Sequence, residues 1–87
     1  MPHSKQAKKR VRQSEERRDH NRALRSTMRT AIKSVQEAVE QSNTESATSA
    51  LANAMLRIDK CAGRNIIHEN NASRKKSSLA RLVATLG

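Results

Sequence analysis

Apolar side chains recur three and four residues apart along most of the chain, which is the period of an amphipathic α-helix. Leu24, Met28, Ala31, Ile32, Val35, Ala38 and Val39 form the first such stripe. No Gly or Pro interrupts the segment from Lys8 to about Gln41, so the pattern predicts one continuous helix there. The first half of that helix has no stripe, because no residue between Val11 and Ala23 is apolar. It has nothing to bury, so it either projects beyond the folded body or stays unfolded until a partner orders it. A helix over the whole segment would be about 50 Å long, more than a domain of this size can cover.

Two further helices follow. Ser42-Asn43-Thr44-Glu45 fits a capping box at the start of the second, and Gly63 stands where a left-handed stop residue is expected at its end. Its apolar face is Ala47, Ala50, Leu51, Ala54, Met55, Ile58 and Ala62, with Leu56 off that face. A third helix is predicted from near Asn65 to about Leu86. There Ala72, Leu79, Leu82, Val83 and Leu86 share one side, and Asn70, Arg74, Ser77 and Arg81 share the opposite one. No strand-like alternation occurs. The expectation is therefore an all-α fold, a three-helix bundle with a long, projecting basic N-terminal helix. It would form one domain over residues 1–87, made of a basic extension (1–22) and the bundle (24–86).

Composition limits how far such a bundle can stabilise itself. With 87 residues, 34% of them hydrophobic, the core is small. A chain this short buries only about 60% of the surface its unfolded form exposes. Something outside the chain is expected to help hold it. The charge identifies that partner as a polyanion: 18 Lys+Arg against 8 Asp+Glu leave a net charge of +10. The charge is also unevenly placed. Residues 1–33 hold 11 basic and 3 acidic side chains, residues 34–56 three Glu and no basic residue, and residues 57–87 7 basic and 2 acidic, so the three stretches carry +8, −3 and +5. The two ends are expected on the polyanion and the middle in solvent or against its own bundle.

Phe, Trp and Tyr are absent. That weakens a membrane-surface reading, since interfacial helices use such anchors. It also argues against modules that read single strands by stacking bases on aromatic rings. Contacts would come instead from Arg and Lys on phosphates, from Asn, Gln, Ser and Thr, and from guanidinium planes, with shape read more than sequence.

The most informative constellation is Arg18, Arg22, Arg25, Arg29 and Lys33, spaced 4, 3, 4 and 4. They make one basic stripe about 120° around the helix from the apolar one, so the helix can meet its bundle and phosphates together. The bland alternative is a solvated face balanced by Glu15, Asp19 and Glu37; five aligned cations favour phosphate contact. The N-terminal Lys5, Lys8, Lys9, Arg10 and Arg12 and the Arg74-Lys75-Lys76 cluster are weak signals singly. With the stripe they predict RNA contact at more than one place.

The search for chemistry is negative. His3, His20, His68 and Cys61 lack metal-ligand spacing, so no metal is expected. Cys61 reads as a small buried hydrophobe, and His68, on the side of Leu79, as a packed or RNA-facing polar group. Two glycines, Gly63 and Gly87, cannot build a phosphate-cradling loop, and no carboxylate pair sits where a cleft could form. The expectation is no enzyme, no cofactor and no small-molecule substrate. No apolar run exceeds three residues, as at Leu82-Val83-Ala84, which predicts neither a secretory signal nor a membrane span, hence a cytoplasmic protein. The rival of another class is a DNA-compacting or regulatory protein, but no leucine heptad follows the basic region and no strand-rich arm exists.

Ser4, Ala7-Lys8-Lys9-Arg10, Gln13-Ser14-Glu15, Asn21, Met28-Arg29-Thr30, Ile32-Lys33 and Ile66-Ile67-His68, followed by Asn70, Ala72, Arg74-Lys75 and Leu79, stand in an order and spacing that resembles the bacterial small-subunit ribosomal protein number twenty family. The resemblance covers nearly the whole chain. It implies a three-helix structural protein without catalytic activity that binds 16S ribosomal RNA directly, early in small-subunit assembly, its first helix reaching between RNA helices. Carried over by position, it implies RNA contacts from Lys8, Lys9, Arg10, Gln13, Ser14, Arg18, Asn21, Arg22, Arg29, Asn70, Arg74 and Lys75. Glu69 and Asn71 stand where family members often have Lys. With the clusters above, the full set of expected RNA-binding residues also takes in Lys5, Arg12, Arg17, Arg25, Lys33, His68 and Arg81.

Overall fold

The computed structural model describes residues 5–86, with side chains from Ala7 onward, so Ser4, His3, Gly87 and the side chain of Lys5 lie outside the described part. Three helices follow one another: α1 (Lys5–Glu40), α2 (Thr44–Gly63) and α3 (Glu69–Ala84). No strand occurs among the described residues. At 36 residues α1 is about 54 Å long, and it sets the dimensions of the molecule, 62 × 22 × 15 Å. The radius of gyration, 17.5 Å, exceeds the about 12 Å expected of a compact chain of this length. The excess is the N-terminal half of α1, whose side chains are all exposed from Lys8 to Ala23.

The C-terminal half of α1 packs mainly on α2, and α3 closes the bundle. The core is built mainly from the predicted stripes, with Ile66 and Ile67 added from the loop after α2. Met28, Ala31, Val35, Ala54, Ile58, Cys61, Ala72 and Leu79 are buried, with Leu24, Ile32, Val39, Ala50, Leu51, Ile66, Ile67 and Val83 packed around them. Alanines at 31, 38, 47, 54 and 72 make up half of the buried residues. They let helix backbones approach closely, yet each contributes little transfer free energy. No polar or charged residue is buried among the described ones. Between α2 and α3 a single surface ion pair joins Lys76 Nζ to Asp59 Oδ1 at 2.9 Å, a contact contributing about 0–1 kcal/mol.

The helix ends depart from expectation, and the reason is backbone conformation. Ser42 does not cap α2; it is left-handed (φ 54°). Its N–H donates to the Val39 carbonyl at 3.0 Å, and the Asn43 N–H donates to that of Ala38 at 3.0 Å, which closes α1 with a Schellman motif. Asn43 is the N-cap of α2, its Oδ1 accepting from the Ser46 N–H at 3.1 Å. One asparagine thus ends one helix and begins the next. At the far end of α2, Gly63 is still helical and Asn65 is the left-handed residue (φ 59°). The Asn65 N–H donates to Ala62 at 3.0 Å and that of Ile66 to Cys61 at 2.9 Å, a second Schellman motif.

The third helix therefore starts at Glu69, not near Asn65, and ends at Ala84, not Leu86. Residues 64–68 form a loop whose Ile66 and Ile67 pack on the core. His68, expected to be packed or RNA-facing, is the exposed N-cap of α3; its Nδ1 accepts from the Asn70 N–H at 3.0 Å.

Candidate nucleic-acid interface

Because only one face of α1 meets the bundle, the basic stripe from Arg18 to Lys33 runs about 22 Å along an exposed flank. All five of its side chains are exposed. Glu15, Asp19 and Glu37, the acids available to balance it, make no ion pair: among the described residues the only one is Lys76–Asp59. Arg25 has one internal tie, a long 3.4 Å bond from Nη2 to the Ile66 carbonyl oxygen, which pins α1 to the loop 64–68.

Six of the expected RNA-binding residues come together. Ser14, Arg17, Arg18, Asn21, Arg22 and Arg25 line an open depression of about 470 Å³ on the projecting half of α1. Four guanidiniums there face no carboxylate within ion-pair distance. Fully solvated like charges at this spacing repel, so the arrangement favours an anion that can bridge them. Lys8, Lys9, Arg10, Arg12 and Gln13 extend the basic surface toward the N-terminus, all exposed.

A second, smaller depression of about 260 Å³ lies between α1 and α3, where Ile32, Gln36, Arg74, Lys75, Ser78 and Leu79 meet. Arg74 is exposed, whereas Lys75 is half-buried in a depression it shares with Ile32 and Leu79. Asn70 and Arg81 lie on the outer side of α3, where Arg81 Nε donates to the Ser77 carbonyl at 3.4 Å. The fold brings neither of them, nor His68, into these two depressions.

Arg64 was missed in the sequence. It is the C-cap of α2, and the fold carries it beside the projecting half of α1, where it lines a third depression with Gln13, Glu16, Arg17, His20 and Asn21. No periodicity links a loop residue to a helix face more than forty positions earlier; the only available signal was its charge just after a helix stop.

No group of three His, Cys, Asp or Glu capable of holding a metal occurs among the described residues. Among the described residues, the one titratable group clearly displaced from its ordinary value is the Cys61 thiol, pushed up by burial and partly drawn back by the Arg25 guanidinium.

Comparison with known proteins adds a family. Residues 2–84 match the family model described as Ribosomal protein S20. Among curated proteins, "Small ribosomal subunit protein bS20" of Geotalea uraniireducens is 47% identical over 87 residues, covering 100% of both chains. That of Colwellia psychrerythraea is 48% identical over 86 residues, 99% of this chain and 100% of the relative. That of Trichlorobacter lovleyi is 49% identical over 87 residues, 100% of both.

Proposed function

The chain belongs to the ribosomal protein S20 family, and on that premise we propose that it is a structural component of the small ribosomal subunit that binds 16S ribosomal RNA directly and stabilises subunit assembly. The family is one of structural ribosomal proteins and not of enzymes, and as a ribosomal protein the chain is cytoplasmic. No helix among the described residues is long and apolar enough to cross a membrane.

One observation carries the RNA reading: the projecting half of α1 presents four arginines in one open groove, none with an ion-pair partner among the described residues, and from Lys8 to Ala23 it buries no side chain. Phosphate contact supplies what the segment lacks, since each neutralised phosphate releases condensed counterions and relieves repulsion between the cations. The contact set comprises Lys5, Lys8, Lys9, Arg10, Arg12, Gln13, Ser14, Arg17, Arg18, Asn21, Arg22, Arg25, Arg29 and Lys33 on α1, with Asn70, Arg74, Lys75 and Arg81 on α3 and His68 at its cap. The middle of the chain, with Glu37, Glu40 and Glu45 and no basic residue from 34 to 56, faces away from RNA.

The test is retention on small subunits through a high-salt wash, together with competition between structured 16S ribosomal RNA and duplex DNA at one fixed salt. Retention and preference for the RNA are expected. Loss at modest salt would reduce the protein to a loosely bound factor, and preference for DNA would overturn the reading.

A further inference from the structure

Two depressions share Arg17 and Asn21, and the rest of their linings differs in kind. The outer one holds four arginines with Ser14 and Asn21 and no carboxylate. The inner one, about 610 Å³, occupies the corner between the projecting half of α1 and the end of α2, lined by Gln13, Glu16, Arg17, His20, Asn21 and Arg64. Glu16 is out of place in a phosphate seat, because two anions at contact distance repel. It is not held there by a cation either: no ion pair within 4 Å involves it among the described residues. Gln13 and Asn21 each bring both donors and an acceptor, while a phosphate requires only donors.

A nucleobase requires that mixed set. Carboxylates accept from the exocyclic amine of cytosine, side-chain amides pair with base edges, and guanidinium planes stack on base faces. In a chain with no Phe, Tyr or Trp, the planar groups that could stack on a base in this corner are the Arg64 and Arg17 guanidiniums and the His20 imidazole. We propose that the corner receives an unstacked nucleobase of the bound RNA, with Glu16 accepting from its exocyclic amine and the Arg64 and Arg17 guanidiniums against its faces, while the outer groove neutralises phosphates. The inference rests on the RNA-binding reading above and divides the labour of the two grooves within it.

The sign of one substitution separates the two kinds of seat. In full-length protein titrated against 16S ribosomal RNA over a range of salt, Glu16→Ala removes a negative charge and tightens binding if the corner holds phosphate. If it holds a base, binding weakens about tenfold at every salt concentration and the slope of log affinity against log salt stays unchanged. Glu15→Ala, which removes the same charge from outside both depressions, is the control for the general charge effect. Arg64→Lys keeps the charge and loses the plane, so it fails to restore what Arg64→Ala removes. Chemical probing adds a direct readout: one base protected by the wild-type protein regains reactivity with Arg64→Ala while other protections remain. Tightening by Glu16→Ala equal to that of Glu15→Ala, or full rescue by Arg64→Lys, overturns the proposal. Absence of wild-type binding to the RNA overturns this proposal and the RNA reading together.

Discussion

The Cys61 thiol, in the last turn of α2, donates to the Leu24 carbonyl oxygen of α1 across 3.6 Å, at the level where α1 leaves the bundle. Leu24 is the first residue of the apolar stripe, and beside it Arg25 reaches the Ile66 carbonyl at 3.4 Å. This junction fixes the angle at which the basic half of α1 projects. Cys61 is buried, so its substitution tests the junction as well as the core.

Burial raises the Cys61 pKa above its ordinary value, and the nearby Arg25 only partly offsets this. Thiolate is therefore favoured in the unfolded chain, where the thiol titrates near pH 8.5. Above that pH the unfolded state binds fewer protons than the folded one, and stability falls as pH rises. The difference in unfolding free energy between wild type and Cys61→Ala is expected to shrink from pH 7 to pH 10 by denaturant titration. A constant difference would show that the thiol does not report on folding. Alkylation of the native thiol should be slow and accelerate on unfolding.

Gly63 offers a test by opposite signs. As a left-handed stop residue it would lose stability on gaining a Cβ. It is instead helical, with nothing within 4 Å of the position a Cβ would take. Gly63→Ala is expected to stabilise by about 0.5–1 kcal/mol. Ser42→Gly, at a residue that is left-handed, should stabilise by a similar amount, about 0.5–1 kcal/mol. Thermal unfolding by circular dichroism reads both as midpoints raised by roughly 2–8 °C. A lower midpoint for Gly63→Ala would mean that the residue is left-handed after all.

These helix ends also mark where sequence reasoning stops. The core faces were legible because burial repeats with the helical period: every predicted stripe residue of α1, from Leu24 to Val39, is buried or half-buried. Leu56, placed off the face, is 50% exposed. The ends were not, because Ser42 and Asn65 adopt left-handed backbone without the glycine that usually announces it. Ile66 and Ile67 read as helical, yet they pack from a loop. Arg18 to Lys33 was visible as a line on one helix, while the corner closed by Arg64 depends on where α2 ends in space.

The basic stripe is expected to act by neutralising phosphates. Changing Arg22 or Arg29 to Ala should weaken binding to 16S ribosomal RNA and lower the slope of log affinity against log salt by about one unit for each phosphate left without its cation. Both residues are exposed and have no ion-pair partner among the described residues, so stability should stay within about 0.5 kcal/mol. An unchanged slope in both variants would leave a merely solvated basic face.

The exposed half of α1 poses the question of when it becomes helical. From Lys8 to Ala23 no side chain is buried or half-buried, so only backbone hydrogen bonds and intrinsic propensity favour the helix there. Ordering the backbone costs roughly 1–2 kcal/mol per residue, and Lys8, Lys9, Arg10, Arg12, Arg17, Arg18 and Arg22 repel one another along the segment. Continuation from the packed half of α1 removes the nucleation cost, and Arg and Lys are good helix formers once repulsion is screened. RNA phosphates supply that screening. In the free full-length protein, backbone NMR is therefore expected to find residues 5 to about 20 mobile on the picosecond to nanosecond scale, while residues 24–86 are ordered, and RNA should quench the motion. Deleting residues 1–22 should leave the cooperative thermal unfolding of the bundle almost unchanged and greatly weaken RNA binding, because the deletion removes no buried side chain described in the core and most of the outer groove. Order parameters in the free segment equal to those of the bundle would mean that the helix is preformed, and that α1 meets RNA as a rigid rod.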